Sequence, residues 1–286
     1  MKKINLLSYT VTLLLSTLMA ATTLADSNSR YPNAIPDLRV AKGNKDISEA
    51  WFSHPTKRYR HFVLGSDYEA GTLNIRTKDG VTLSYSLTRE SVFEDRIVRL
   101  HDMDNDGKDE IIVVRAYLKG GAALAVFGLR AGKIAHLAET PDMGHPFGWL
   151  NPAGIADFDG DGVTEIAFVR KPHVLGRLEL WEYRNGKLTL DKTLGNTSNH
   201  SIGSAQLGLS MVYDFNGDGL KDLAIPSKDR RSIRFLSFKG DIKEFSRKKL
   251  PAPVTSDFRI VLGKGMAGVA VTLSGKQSII VFPDKR

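Results

Sequence analysis

Three short acidic segments of one form recur along this chain, beginning at residues 102, 157 and 214. Each has a carboxylate or amide side chain at positions 1, 3 and 5, a glycine at position 6 and a carboxylate at position 9. The intervals between them are 55 and 57 residues, and an even interval of this size indicates an internal repeat. The chain is therefore expected to fold as a series of similar units, each built around one acidic segment.

The alternating oxygens match the requirements of a hard cation. Calcium binds about six to eight oxygens, and a tight loop provides several of them by placing carboxylates or amides at alternate positions. Glycine at position 6 permits the sharp turn that such a loop needs. Aspartate and glycine also occur together in turns that bind no metal. Three aligned copies favour metal binding over that alternative.

The segments differ from EF-hand loops in what closes and follows them. An EF-hand has its last carboxylate at position 12 and continues as a helix. Here position 12 is apolar, and the residues after position 9 read as a buried strand. The residues at position 12 are Val113, Phe168 and Ile225. The sequence thus argues against an EF-hand and predicts a strand after each loop.

The pattern resembles the FG-GAP family, also described as VCBS repeats, which forms the blades of integrin-type β-propellers. The resemblance implies calcium in the hairpin between the first two strands of a blade, with up to three structural ions. The implied side-chain ligands are Asp102, Asp104, Asp106 and Glu110, then Asp157, Asp159, Asp161 and Glu165, then Asp214, Asn216, Asp218 and Asp222. The implied carbonyl ligands are those of Lys108, Val163 and Leu220. Two features depart from the family pattern: position 9 is glutamate in the first two loops, and Asn216 makes the third loop less acidic. The third site is expected to be occupied but tuned differently.

Strand-like runs around the acidic segments predict an all-β propeller of four-stranded blades. Three repeats are complete, and residues 61–64, 71–76 and 81–87 predict a first blade without a metal signature. The last repeat shows three strands only, at residues 258–262, 269–273 and 278–282. Because a sheet edge has to be paired or covered, we expect residues 37–41 to supply its fourth strand. The prediction is five blades, with four or six still open.

The N-terminus has the pattern of a secretory signal. Lys2 and Lys3 precede an apolar run, and small residues lead to a cleavage site after Ala25. The alternative is an uncleaved membrane anchor. We expect a signal peptide at 1–25, a loose leader at 26–36 and a single propeller domain at 37–286. The protein is then exported to the periplasm or secreted, and without cysteine it has no disulfides.

Positive charge concentrates in the loops expected on the face opposite the acidic segments. The formal net charge is +8, and removal of the signal leaves +6. Histidine and tryptophan lie at the predicted entries to two blades, within His145-Pro-Phe-Gly-Trp149 and at His200. The candidate ligand-binding residues of this basic face are Arg115, Lys119, His145, Trp149, Arg170, Lys171, His173, His200, Lys228, Arg230 and Arg231. The face suits an anionic ligand such as an acidic polysaccharide or another envelope component.

The sequence favours a binding module over an enzyme. It contains no Gly-x-Ser-x-Gly or His-Glu-x-x-His motif and no thiol nucleophile. One alternative is a polysaccharide lyase that uses His145 or His200, because such enzymes include calcium-bearing propellers. Another is a docking platform for an envelope protein. Nucleic acid binding is not expected, since there is no recognition helix or basic-aromatic run.

Overall fold

The computed structural model describes residues 30–263, 265–275 and 277–284. Every regular element in these residues is a β-strand, and the strands form several antiparallel sheets. The predicted signal peptide at 1–25 lies outside the described residues. No helix in the described part of the chain has the length and apolar character needed to span a bilayer.

The strands fall into five groups that follow one another along the chain, here called units 1 to 5. Unit 1 contains β1 (Ala41–Lys42), β2 (Ile47–Thr56), β3 (Glu69–Thr77) and β4 (Thr82–Ser86). Unit 2 contains β5 (Ser91–Phe93), β6 (Arg99–His101), β7 (Glu110–Tyr117), β8 (Gly121–Arg130) and β9 (Lys133–Glu139). Unit 3 contains β10 (Leu150–Ala156), β11 (Glu165–Arg170), β12 (Arg177–Arg184) and β13 (Lys187–Leu194). Unit 4 contains β14 (Met211–Tyr213), β15 (Asp222–Pro226), β16 (Ser232–Ser237) and β17 (Lys243–Lys249). Unit 5 contains β18 (Arg259–Gly263), β19 (Met266–Thr272) and β20 (Ser278–Val281).

Within each unit, consecutive strands pair antiparallel. In unit 2, β5 and β6 pair with the same side of β7, one after the other along its length. Together they form one interrupted first strand. Units 1 and 2 join into one nine-stranded sheet through the pairing of Ala70 with Phe93. Units 3 and 4 are separate four-stranded sheets, and the described part of unit 5 is a three-stranded sheet.

The apolar strands after the acidic segments form the second strand of units 2, 3 and 4. These are β7, β11 and β15, and they are buried along nearly their whole length. Both faces of each strand are apolar because each sheet packs between two others. Phe168 of β11 faces unit 2, whereas Val169 faces unit 4. The prediction of a buried strand after each acidic segment is confirmed.

Four hydrophobic clusters lie between successive units. The cluster between units 1 and 2 contains Phe52 and Phe127, and the one between units 2 and 3 contains Val114 and Phe168. The third and fourth clusters lie between units 3 and 4 and between units 4 and 5. In the described residues, none of these clusters includes strand residues of both unit 1 and unit 5.

Two expectations for the first unit are wrong. Residues 37–41 do not pair with unit 5; the strand here is Ala41–Lys42, and it pairs with β2. A tight turn follows it directly, with Gly43 N–H donating to the Ser48 carbonyl at 3.1 Å, so the chain folds back on itself at once. Residues 61–64 belong to the long connection between β2 and β3 and are not a strand.

The last residues of the predicted leader contact unit 1. Ala34 forms a β-bridge with Ser53, and Ile35 is buried in the cluster between units 1 and 2. The ring of Tyr31 packs edge-on against Trp51, with centroids 5.1 Å apart.

Packing between units 3 and 4 leaves no room for a side chain at Gly154 in β10. A Cβ added there would lie 2.2 Å from Cγ2 of Val212 in β14. We predict that Gly154→Ala lowers the free energy of unfolding by about 1 to 3 kcal/mol, because the two sheets would have to separate. Urea unfolding measures this. Gly195→Ala is the control, since its Cβ would meet no atom within 4 Å, and equal effects of the two variants would contradict the prediction.

Candidate functional site

Because the strands pair antiparallel, the connections of each unit alternate between the two ends of its strands. The acidic loops join the first and second strands of units 2, 3 and 4 at one end, and the surface formed there is called the lower face. The connections that follow β2, β9, β11, β13 and β15 lie at the other end and form the upper face. The residues predicted to bind metal and those predicted to bind a ligand are thus on opposite faces.

The three acidic loops share one network of hydrogen bonds. The position 1 aspartate accepts the N–H of the position 6 glycine, from Gly162 to Asp157 at 3.0 Å in the second loop. The position 5 aspartate accepts the N–H of position 7, from Val163 to Asp161 at 2.8 Å. The same contacts recur in the first and third loops. The glycine at position 6 has φ between 85° and 88° in all three, a left-handed conformation that glycine adopts without strain.

The position 9 carboxylate joins each loop to its unit. Glu165 accepts the backbone N–H of Phe158 at 2.8 Å, and Glu110 and Asp222 make the equivalent bonds to Met103 and Phe215. Burial raises the pKa of Glu110 to about 7, of Glu165 to about 8 and of Asp222 to about 7. A nearby cation favours the ionised form of such a buried carboxylate and lowers its pKa.

Two of the loops bring their carboxylates together closely enough to hold a metal ion. Oxygens of Asp157, Asp159, Asp161 and Glu165 lie within 4.8 Å of one another, as do those of Asp102, Asp104 and Asp106. Glu110 Oε1, Glu165 Oε1 and Asp102 Oδ1 are buried without a hydrogen-bond partner. An oxygen in that situation fits a hard cation, so the donor set and its geometry are compatible with calcium.

The third loop differs because of Asn216. Its side-chain N–H donates to Asp222 Oδ1 at 3.0 Å, and its Oδ1 accepts the N–H of Asp218 at 2.9 Å. The Asn216 amide therefore hydrogen-bonds to the Asp222 oxygen that corresponds to the unpartnered oxygens of Glu110 and Glu165.

Lys108, Val163 and Leu220 all lie at position 7 of their loops, where the resemblance places a carbonyl ligand.

The upper face brings six of the predicted ligand-binding residues together. His173 Nε2 and His200 Nδ1 are 2.9 Å apart, and the ring of Trp149 stacks on that of His173. Lys171 Nζ lies 2.6 Å from His145 Nε2, and Arg230 donates to the carbonyl of His200 at 3.2 Å. The six residues, here called the histidine cluster, are His145, Trp149, Lys171, His173, His200 and Arg230.

The other five predicted residues do not join the histidine cluster. Arg170 pairs with Glu179 at 2.8 Å, and Arg115 lies over the ring of Tyr117 and 3.9 Å from Glu139. Arg231 donates to the carbonyl of Pro251 at 3.1 Å. Lys228 lines a separate cavity, and Lys119 is exposed in a turn.

Four residues that sequence reasoning missed complete the site. Tyr59 accepts the backbone N–H of Phe147 at 2.8 Å, and His61 Nδ1 lies 2.7 Å from Oε1 of the fully buried Glu94. The ring of Phe147 lies 5.2 Å from Tyr59 and 5.4 Å from His61. Phe147 lies within the His145–Trp149 segment noted in the sequence, but no local pattern marks the other three. Tyr59 and His61 come from the long connection in unit 1 and meet the cluster only through the fold.

Strained backbone is concentrated in this region. Phe62, Phe147, Lys171 and Arg230 all have φ between 47° and 60°. This left-handed conformation is unfavourable for bulky residues and is found where the surrounding structure enforces it, often at functional sites.

The two central histidines are neutral at pH 7. Burial lowers the pKa of His173 to about 3, aided by His200, Arg230 and His61, and burial lowers the pKa of His200 to about 4. Burial likewise raises the pKa of Glu94 well above its usual range. The upper face therefore draws its positive charge from lysine and arginine.

We predict that His173 makes stability depend on pH. The unfolded imidazole binds a proton below a pKa of about 6.5 and the folded one only below about 3, so the free energy of unfolding falls as the pH drops through that window. For one imidazole the loss at pH 5 is at most about 2 kcal/mol. Urea unfolding at several pH values between 7 and 5 should show that the free energy of unfolding falls less with pH in His173→Gln than in the parent. His136→Gln is the control, because His136 is exposed. The same pH dependence in His173→Gln and the parent would contradict the prediction.

Part of the chain matches a known protein family. Residues 157–225 match the family model described as an FG-GAP-like repeat. The matched segment begins at the second acidic loop and ends within β15, after the third. The resemblance inferred from the acidic segments is confirmed over that range. No curated protein matches the chain.

Proposed function

We propose that this chain, an FG-GAP repeat protein by its match over residues 157–225, is an exported, calcium-stabilised binding module that acts without catalysis. Its ligand is anionic and binds at the histidine cluster. The proposal rests on the lack of an ion pair at Lys171 and Arg230. Both residues lie in the cluster, and among the described residues neither pairs with a carboxylate.

The proposed architecture is a five-bladed propeller in which each unit is one blade. The five successive units, the position of the acidic loops between first and second strands, and the FG-GAP match support it. The domain spans residues 37–286 after removal of the signal at 1–25. Export is supported by that N-terminal pattern.

Calcium is proposed at the first and second loops, with weaker binding at the third. The converging carboxylates and their unpartnered buried oxygens support the first two sites. When bound, the ion supplies the positive charge that offsets repulsion within each group of carboxylates. At the third loop a cation has to compete with the Asn216 amide for Asp222.

We predict that millimolar calcium raises the melting temperature, because an ion that binds only the folded state stabilises it. The double variant Asp104→Asn/Asp159→Asn gives the first two loops the amide of the third and should show a clearly smaller shift. Asn216→Asp should show a larger shift than the parent. Differential scanning calorimetry with calcium and with chelator measures all three. An equal shift in all of them would exclude these loops as the binding sites.

An anionic ligand is proposed because Lys171 and Arg230 of the histidine cluster form no ion pair with a carboxylate in the described part of the chain. Arg230 Nε is buried without a hydrogen-bond partner, and Lys171 Nζ lies 2.6 Å from His145 Nε2. A ligand carboxylate, sulfate or phosphate would satisfy both groups. Phe147 is exposed beside them and offers a ring on which a sugar can stack. An acidic polysaccharide of the cell envelope combines these features.

We predict that Lys171→Gln/Arg230→Gln weakens binding to acidic polysaccharides by about tenfold or more, since each charge-assisted contact contributes about 1.5 kcal/mol. Binding is measured by titration calorimetry with a uronic acid polymer and with a neutral glucan as the comparison ligand. Lys187→Ala/Lys239→Ala is the matched control, because both lysines are exposed on the lower face, at the start of β13 and in the connection after β16. Equal loss in the two double variants would point to net charge alone and sink the proposal.

A polysaccharide lyase is the second candidate. The pair of His61 and the buried Glu94 favours it, because the Glu94 carboxyl group, 2.7 Å from His61 Nδ1, orients the imidazole. When that group is ionised, the other imidazole nitrogen is free to accept a proton. In this alternative His61 is the base, in place of His145 or His200. Release of unsaturated sugar ends from the uronic acid polymer, lost in His61→Gln, would establish it. A docking platform for an envelope protein remains the third candidate, as a propeller face offers a broad surface.

A further inference from the structure

The upper face carries a set of exposed apolar side chains, of which the proposed ligand contacts use only Phe147. They come from four different connections of the upper face. They are Phe62, Phe147, Val174, Leu175 and Ile202, with exposed fractions from 44% to 74%. Loops are usually polar, so five large apolar residues exposed on one face mark an interaction surface.

Contacts between the loops hold these side chains in one area. His173 bonds to His200, which joins the turn of Val174 and Leu175 to the loop of Ile202. Gly203 N–H donates to the carbonyl of Val63 at 2.9 Å, next to Phe62.

The loop of Phe62 is joined in turn to that of Phe147. The ring of His61 lies 5.4 Å from the ring of Phe147, and the Tyr59 hydroxyl accepts the Phe147 N–H. The apolar residues therefore surround the histidine cluster as one surface.

The tip with Val174 and Leu175 is rigid. The carbonyl of Lys171 accepts the N–H of Val174 at 3.1 Å and that of Gly176 at 2.9 Å, which closes a tight turn. The two apolar side chains project from this closed turn. Ordering them on binding thus costs little backbone entropy.

Cations are interspersed with the apolar residues. The guanidinium of Arg60 lies 5.8 Å from the ring of Phe62, and Lys171 and Arg230 lie among the loops described above. Among nearby acids, Asp67 pairs with Lys57, whereas Asp229 accepts from the Ser227 hydroxyl and the backbone N–H of Arg231 and favours the charged form of Arg230. The surface combines exposed apolar tips with Arg60, Lys171 and Arg230, which form no ion pair in the described part of the chain.

We infer that the upper face docks on an anionic lipid surface, with the apolar tips inserted at the boundary of headgroups and acyl chains. Arg60, Lys171 and Arg230 then contact lipid phosphates. This inference rests on the proposed function, because it assigns the anion at the histidine cluster to the headgroup of an amphiphile. Apolar insertion and attraction to anionic lipid add together in such binding, whereas a soluble polysaccharide has no use for Val174, Leu175 and Ile202.

The test is vesicle co-sedimentation of the full mature chain with calcium present. Phosphatidylcholine vesicles with phosphatidylglycerol should bind the protein, and pure phosphatidylcholine vesicles should bind it weakly. Val174→Asp/Leu175→Asp/Ile202→Asp should reduce binding by about tenfold or more, because three charged side chains cannot insert. Val81→Asp is the matched control, since Val81 is 49% exposed in a turn of the lower face. An unchanged melting temperature excludes misfolding of the triple variant.

The outcomes separate this inference from the proposed function. Soluble polysaccharide bound by both parent and triple variant, with no vesicle binding by either, overturns the inference and leaves the proposed function intact. Failure to bind both ligands overturns both. Vesicle binding that the triple variant retains, or that Val81→Asp loses equally, overturns the inference. A parent that self-associates without vesicles, and a triple variant that does not, would assign the apolar tips to contact between copies and also overturn it.

Discussion

The fold depends on one hydrogen bond that recurs three times, from the backbone N–H at loop position 2 to the carboxylate at position 9. It fixes the start of the second strand against the end of the first. It also directs the position 2 side chain into the core. Met103, Phe158 and Phe215 are all buried, and each belongs to a different cluster between units. The acidic loop and the packing between sheets are thereby coupled, so a cation bound in the loop would stabilise the interface between units.

The two faces treat their charges in opposite ways. On the lower face, carboxylates converge on one another and basic side chains reach toward them, as Lys192 does to Asp159 at 3.1 Å. On the upper face, Lys171 and Arg230 form no ion pair among the described residues and lie beside histidine and aromatic rings. The carboxylates repel one another in the acidic loops, where a bound cation would relieve the repulsion. Positive charge collects at the histidine cluster, where a ligand can approach. The upper face also holds strained backbone, at Phe147 and Arg230.

Features encoded within a few residues could be predicted from the sequence, and those that depend on distant contacts could not. The acidic loops and the strands after them follow from spacing and residue type. The grouping of His145, Trp149, His173 and His200 also followed, because each lies in a connection at the same edge of its unit. The pairing of Arg170 with Glu179 was hidden, since it joins adjacent strands and turns the guanidinium away from the cluster. The apolar run at residues 61–64 predicted a strand. Val63 and Leu64 are buried, but they belong to a loop that crosses the upper face.

That crossing loop has a consequence for the order of folding. Val63 bonds to Gly203, 140 residues later in the chain, whereas the strand pairs within each unit join near neighbours in sequence. Local pairing forms early and distant contacts form late, because closing a long segment costs more entropy. The sheets of units 1 to 3 can therefore be complete while the upper face is still open. A chain emerging from synthesis completes its first acidic loop long before its histidine cluster, whose last member is Arg230. Binding competence at that cluster reports that the region from unit 1 into unit 4 has finished folding.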